Sequence, residues 1–262
     1  MRNPCKKYLL FRTYRKDESA KDRFEFMARS MSSFVHLVWF HDGDIEGSSY
    51  SGPLPENCSQ FSTTDAGIRK LWPLLFESYD SCTDILPRMF RPDGSRYPIK
   101  WCMSHLSILE WWIACKRPMG RFITMEDDIW WDRDWDPMRA FEKAFKCDEF
   151  LAPMVKTYMH GRDPTQPMSR NTPKWYRDCM VCHDFITARS DRLMMVLEQV
   201  SNSGAWGQGE VIVPSAAKTH PGGRGCSQWS LRAFDENLCA LIHRFEGQKQ
   251  GKSPQRIFFR RR

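Results

Sequence analysis

No apolar run in this 262-residue chain approaches the roughly 20 residues that a membrane-spanning helix requires. The N-terminal stretch MRNPCKKYLLFRTYRKDE carries positive charge, but its apolar part is too short for a secretory leader. No G-x-x-x-x-G-K-S/T loop occurs, which argues against a P-loop NTPase, and no G-x-G-x-x-G follows the first predicted strand. There is no internal repeat. The ten cysteines are scattered, at 5, 58, 82, 102, 115, 147, 179, 182, 226 and 239, in a chain long enough to build its own core. That usage points to reduced thiols. Cys179 and Cys182 form the one close pair, followed by His183. No second Cys/His pair lies at finger spacing, so chance pairing is preferred over a zinc knuckle or a haem attachment. Together these absences favour the cytoplasm; a Golgi placement would require an anchor.

Hydrophobic residues make up 41% of the chain and charged residues 27%, as in an ordinary soluble globular protein. Eleven tryptophans leave some for the core and some for the wall of a pocket. The net charge of +7 suits an anionic partner: nucleic acid, a phosphorylated small molecule or an anionic membrane face. Much of the excess sits in Arg12, Arg15, Lys16 and the tail GKSPQRIFFRRR. A basic tail is ordinarily a solvated end, with peripheral membrane contact as the alternative.

Hydrophobic periodicity predicts a strand over 7–14, a helix over 18–31 with Phe24, Met27 and Met31 on one face, and a strand over 34–41. This β-α-β opening favours parallel pairing. Residues 42–62 read as loop, 64–71 as a short helix, 87–98 as turn, and 99–116 as one helix buried between layers. RFITME reads as a strand, Asp136-Pro137 as the start of a helix to about 146, and 149–155 as a strand. After a polar, irregular 156–178 come a strand in VCHDFITARS, a helix opened by Ser190, the Gly-rich GAWGQGE, a short apolar stretch, and a last helix near 229–246. Alternating elements of this kind make an α/β sandwich with a mostly parallel sheet, whose ligands bind beyond the carboxyl ends of the strands.

That rule places two acidic clusters on one rim: DGD at 42–44 and the triplet Glu126, Asp127 and Asp128 in FITMEDDIWW. Acids often follow a strand merely to cap the next helix. The apolar approach FITM makes this triplet less ordinary, because buried carboxylates without a counter-charge are costly. A hard divalent cation would relieve the repulsion and hold substrate phosphate oxygens in its open positions.

KYLLFRTY, VHLVWFHDGD, the SHLSILEWW helix and FITMEDDIWW occur in the order found in glycosyltransferases of the GT-A fold, which this chain resembles over roughly residues 6–225. The EDD triplet resembles their D-x-D motif. The helix before it is similar to that of the galactosyltransferase group acting on lipopolysaccharide and collagen, and GQGEVIVPSAA is similar to an acceptor-site segment of such enzymes. The resemblance implies a GT-A-like three-layer sandwich, with a single catalytic domain over 1–248 (a nucleotide-sugar half to about 130, an acceptor half beyond) and a basic tail over 249–262. It implies Mn²⁺ (or Mg²⁺) bound by Asp128 and His220, with Glu126 and Asp127 at the ribose or the metal's waters. Arg12 and Asp42 or Asp44 would meet the nucleotide, and Glu210 would act as general base toward a glycan or other hydroxyl acceptor. Each residue also has a plainer reading: strand-end turns for the aspartates, a loop histidine, a helix-start glutamate. Trp206 would stack on acceptor sugar or pack, while His105, four residues after Trp101, reads as a core histidine. Lys218 and Arg224 lie near the leaving diphosphate or on the plain surface.

Two other classes compete. A nucleotidyltransferase or metal-dependent phosphohydrolase would use the same acids, but FRTYRKD is a feeble phosphate-binding signature. A basic nucleic-acid-binding module accords with the charge, yet acids at the ligand rim repel phosphates.

Overall fold

The computed structural model of the protein describes residues 6–13, 18–31, 33–81, 99–127, 129–130, 137–145, 150–152, 156–157, 180–181, 186–219, 242–243 and 255–256. In chain order the elements are β1 (Lys6–Thr13), α1 (Glu18–Met31), β2 (His36–Asp42), β3 (Cys58–Thr63), α2 (Asp65–Leu71), α3 (Pro73–Ser81), α4 (Ile99–Cys102), α5 (Ser104–Ala114), β4 (Gly120–Glu126), β5 (Ile129–Trp130), α6 (Pro137–Ala144), β6 (Phe150–Leu151), β7 (Lys156–Thr157), β8 (Met180–Val181), β9 (Ile186–Ser190), α7 (Asp191–Asn202), α8 (Gly209–Thr219), β10 (Ile242–His243) and β11 (Gln255–Arg256).

The main sheet has the order β3-β2-β1-β4-β9-β6. Strands β1 to β4 run parallel, and β9 is antiparallel to both β4 and β6. Side chains alternate across a strand, and β1 shows what each face meets. Leu9 and Phe11 pack with Phe24, Met27 and Met31 of α1 and Phe141 of α6. Tyr8 and Leu10 pack with α2, α3, α5, α7 and α8. Helices on both faces of a mostly parallel sheet make the three-layer α/β sandwich that the sequence implied. Within the second layer α5 is buried over most of its length, from Ser104 to Trp112 apart from Glu110.

Local chemistry sets the boundaries. Thr64 caps α2, its hydroxyl accepting from Gly67 N–H at 2.9 Å, and Ser190 caps α7 by accepting from Leu193 N–H at 3.0 Å. The single helix expected over 99–116 is two, because Met103 leaves the helical region at φ −113°, ψ 52°. β3 lies inside the expected loop 42–62. Its sequence CSQFST is polar and its burial partial, because it is the sheet's edge, so no apolar alternation betrays it. α3, opened by Pro73, was not anticipated. Of the strand expected over 149–155, Phe150–Leu151 pairs with β9, and within 181–190 the main-sheet strand is Ile186–Ser190. Met180–Val181 pairs with Lys156–Thr157 in a separate two-stranded sheet. The short apolar stretch after GAWGQGE is α8, with Pro214 inside it. The helix expected near 229–246 is not helical at Ile242–His243, which forms a strand between β5 and β11; pairing there overrides the helical pattern. The turn segment 87–98 and the rest of 229–246 lie outside the described residues, as does the tail apart from Gln255–Arg256.

Among the described residues no helix is long and apolar enough to cross a membrane. Cys58, Cys102 and Cys115 are free thiols. Burial pushes Cys58 up to about 11, while burial and then Asp65 push Cys102 up to about 12, so neither is a ready nucleophile.

Gly120 opens β4 opposite Lys6 with φ 156°, and a β-carbon there would meet the Lys6 carbonyl oxygen. Gly120→Ala is expected to destabilise by about 1–3 kcal/mol. The measurement is urea unfolding; an unchanged midpoint would show that β1 and β4 separate here at no cost.

Candidate functional site

The chain runs outward from β1 to β2 and β3, then returns to the other side of β1 for β4. The strand order therefore reverses between β1 and β4, and ligands of open α/β sheets bind beyond such a reversal. The register brings Arg12 opposite Glu126, and Thr13 opposite His41. On the α5 side of the sheet, Arg12 Nη1 lies 3.6 Å from Glu126 Oε1. On the α1 side, Thr13 Oγ1 donates to Asp127 Oδ2 at 2.8 Å. Asp127 N–H donates to the Arg12 carbonyl at 2.8 Å, and the Arg23 guanidinium donates to the Asp127 carbonyl. Arg23 is itself fixed by a 3.1 Å bond to Ser19 Oγ.

Arg12 is fully buried, so its immediate effect is on Glu126. Their attraction is about 5 kcal/mol at an effective dielectric of about 20. Desolvation costs several kcal/mol per ion, so the net stabilisation is small and the gain is a fixed position. Arg12 supplies a counter-charge for Glu126, while the Asp127 carboxylate accepts from Thr13 and its main-chain carbonyl accepts from Arg23. Among the described residues no three His, Cys, Asp or Glu side chains gather to hold a metal ion. Glu126 and Asp127 do place hard oxygen donors at the rim, which suits Mg²⁺ or Mn²⁺. Asp128 and His220, the two expected ligands, lie outside the described residues, as do Trp131, His183 and Arg224.

The second acidic cluster is closed by a lysine. Lys100, on α4, pairs with Asp42 and with Asp44, and lies 3.8 Å from Asp65 Oδ1. Asp42 Oδ1 also accepts from Asp44 N–H at 2.9 Å, an Asx-type turn. Asp44 Oδ2 accepts from Asp65 N–H at 3.0 Å, tying the loop after β2 to the start of α2. Burial acts to raise the Asp44 pKa, but the Asp65 N–H and the Lys100 ammonium outweigh it and hold Asp44 below the usual carboxylate range. Burial acts to lower Lys100, and the aspartates outweigh it and raise it. Nearby, Glu110 accepts from Thr63 Oγ1 at 2.6 Å; burial raises its pKa, opposed by the Thr63 and Thr64 hydrogen bonds.

Arg12, Asp42, Asp44, Glu126 and Asp127 therefore share one rim. Asp42 is buried, whereas the Asp44 side chain is 48% exposed. Glu210 stands in the first turn of α8, a helix-start position, and Pro214 removes the N–H that would bond the Glu210 carbonyl. Trp206 is 1% exposed, packs edge-on against Tyr79 at 5.1 Å and donates to Ser78 Oγ at 3.3 Å. It belongs to the core and is not available to stack on a sugar. His105 is buried as expected. Burial and then Arg189 push it down to about 3, and its Nδ1 has no hydrogen-bond partner among the described residues.

Lys100, Arg23 and Thr13 were not anticipated. Lys100 is the only Lys, Arg, Asp or Glu between Ile99 and Leu109, a lone cation in an apolar run. Arg23 shares the buried face of α1 with Ala20, Phe24 and Met27. Both signals are legible in hindsight as charges on apolar faces.

No protein-family model and no curated protein matches the chain. Among solved structures, mouse xyloside xylosyltransferase 1 in its apo form is similar at a TM-score of 0.38 and 12% identity, over 83% of each chain. That similarity is too low to assign a function.

Lys100→Met would leave Asp42 buried without its cation, at a cost of about 3 kcal/mol. Asp44 has a lowered folded pKa, so its share of stability is present above 3.8 and is lost as pH falls through the folded value. Lys100 has a raised folded pKa, so its share is present below 10.5 and is lost as pH rises through the folded value. Urea unfolding should show the gap between wild type and Lys100→Met widest near neutrality and narrower at both extremes. A gap independent of pH would remove the ionic account of this cluster.

Proposed function

We propose that the protein is a glycosyltransferase that moves a sugar from a nucleoside diphosphate sugar to a hydroxyl acceptor, most simply a glycan. The observation that supports this is the placing of Arg12, Thr13, Glu126 and Asp127 at the strand-order reversal of a GT-A-like sheet. In this reading Asp128, next in sequence to the fixed pair, would serve the donor diphosphate. Mn²⁺ or Mg²⁺ held by Asp128 and His220 would supply Lewis-acid stabilisation of the leaving diphosphate. Arg12 positions Glu126, and Thr13 with Arg23 positions Asp127, so neither acid must reorganise when the donor enters. Lys100 holds the Asp42–Asp44 turn beside the nucleoside. Glu210, in the first turn of α8, takes the proton from the acceptor hydroxyl.

Calorimetric titration of UDP and GDP, each with Mn²⁺ and with EDTA, tests the donor site in wild type and in Asp128→Ala. Manganese-dependent binding of one nucleotide, lost in Asp128→Ala, is expected. Absence of binding under every condition would sink the transferase reading, and metal-free, salt-dependent RNA or DNA binding would replace it. With the nucleotide known, Glu210→Gln should slow single-turnover transfer by about 10²- to 10⁴-fold while leaving donor affinity unchanged. Undiminished transfer would remove Glu210 as the base.

A further inference from the structure

The proposed transfer makes no use of His41, at the end of β2. Its register partner is Thr13, so it stands in the same row as Thr13 and Asp127 on the α1 side of the rim. It is 8% exposed. His41 Nδ1 lies 3.0 Å from Ser48 Oγ. The Ser48 hydroxyl has one hydrogen, and it donates that hydrogen to the Asp42 main-chain carbonyl. Toward His41 the oxygen can then only accept, so the ring hydrogen resides on Nδ1. Ser48 is held in this arrangement: it is 2% exposed, and its own carbonyl accepts from Trp39 Nε1 at 3.0 Å. Burial lowers the His41 pKa, opposed by the Asp42 carbonyl and carboxylate, which favours a neutral ring at neutral pH. A neutral ring with its hydrogen on Nδ1 presents Nε2 as an acceptor only. Among the described residues nothing hydrogen-bonds to that nitrogen.

The ends of β4 and β2 are two strand spacings apart, about 10 Å. That is close to the span of a nucleoside laid along the rim from the β4 end to a base at His41. We infer that His41 Nε2 is a fixed hydrogen-bond acceptor for the donor nucleobase, selecting bases with a ring N–H (uracil or guanine) over cytosine and adenine. The latter two offer a lone pair at the corresponding ring position, so two acceptors would face each other unpaired. This inference rests on the nucleotide-donor reading above. The discrimination expected from one unsatisfied acceptor pair is about 10- to 100-fold.

The experiment titrates wild type and His41→Asn with UDP, GDP, CDP and ADP in Mn²⁺, and follows the ring ¹⁵N shifts of His41 in the wild type. Asparagine keeps a donor near the Nδ1 position and lacks Nε2. Wild type should carry its ring hydrogen on Nδ1, bind UDP or GDP at least about 10-fold more tightly than CDP and ADP, and show the Nε2 resonance move on binding. His41→Asn should lose that preference. Equal affinity for all four in wild type, a hydrogen on Nε2, an unmoved Nε2 resonance, or a preference retained in His41→Asn would each overturn the role of His41 and leave the donor site standing. Binding of none of the four would overturn both. Should His41→Asn fail to fold, the wild-type affinities and ¹⁵N shifts decide alone.

Discussion

β1 is hydrogen-bonded along its length on both sides, to β2 and to β4, in parallel register. The candidate chemistry depends on that double ladder. It delivers Arg12 beside Glu126 and Thr13 beside His41 without any loop having to choose a conformation. The ladder is stabilised by what lies above and below it. Leu9, Leu10 and Phe11 are fully enclosed between the helical layers, each contributing about 1.5–3 kcal/mol on burial. A rim held by that much apolar burial can carry charged groups that contribute little stability themselves.

The charges on the rim are arranged in small sets of mixed sign. Arg12 faces Glu126, Arg23 holds the Asp127 carbonyl, and Lys100 joins Asp42 and Asp44 after β2. Both arginines and the lysine are buried, so these pairs act at short range in a poorly screened setting. One consequence is rigidity. Asp127 is fixed through its side chain, its N–H and its carbonyl at once, which is the preorganisation that electrostatic catalysis requires.

The architecture was legible in the sequence where one physical signal dominated. Helix α1 has the predicted limits of Glu18 and Met31 because its apolar spacing and its buried face coincide. Ser190 was readable as a cap because its hydroxyl competes for a helical N–H wherever it sits. The strand ends at Asp42 and Glu126 followed from apolar runs stopping at acids. What escaped has equally physical causes. β3 is polar because it lies at an edge, and the break at Met103 is a backbone event inside an unbroken apolar run. Lys100 pairs with residues more than fifty positions earlier, a distance at which composition and periodicity are silent. Trp206 was open between a sugar platform and packing, because a Gly-rich segment does not fix which way its tryptophan turns; the chain turns it into the core against Tyr79.

The polar character of β3 has a further consequence. An edge strand offers a row of unpaired N–H and C=O groups that can template the addition of a strand from another molecule. In this chain the outward edge at Cys58–Thr63 is half-buried, carries serine, glutamine and threonine in place of the valine and isoleucine that favour such pairing, and is followed directly by α2. Among the described residues β3 is an outer strand, and the composition that hides it from a pattern search also disfavours strand addition along it; a more readable strand at this position would be a stickier one.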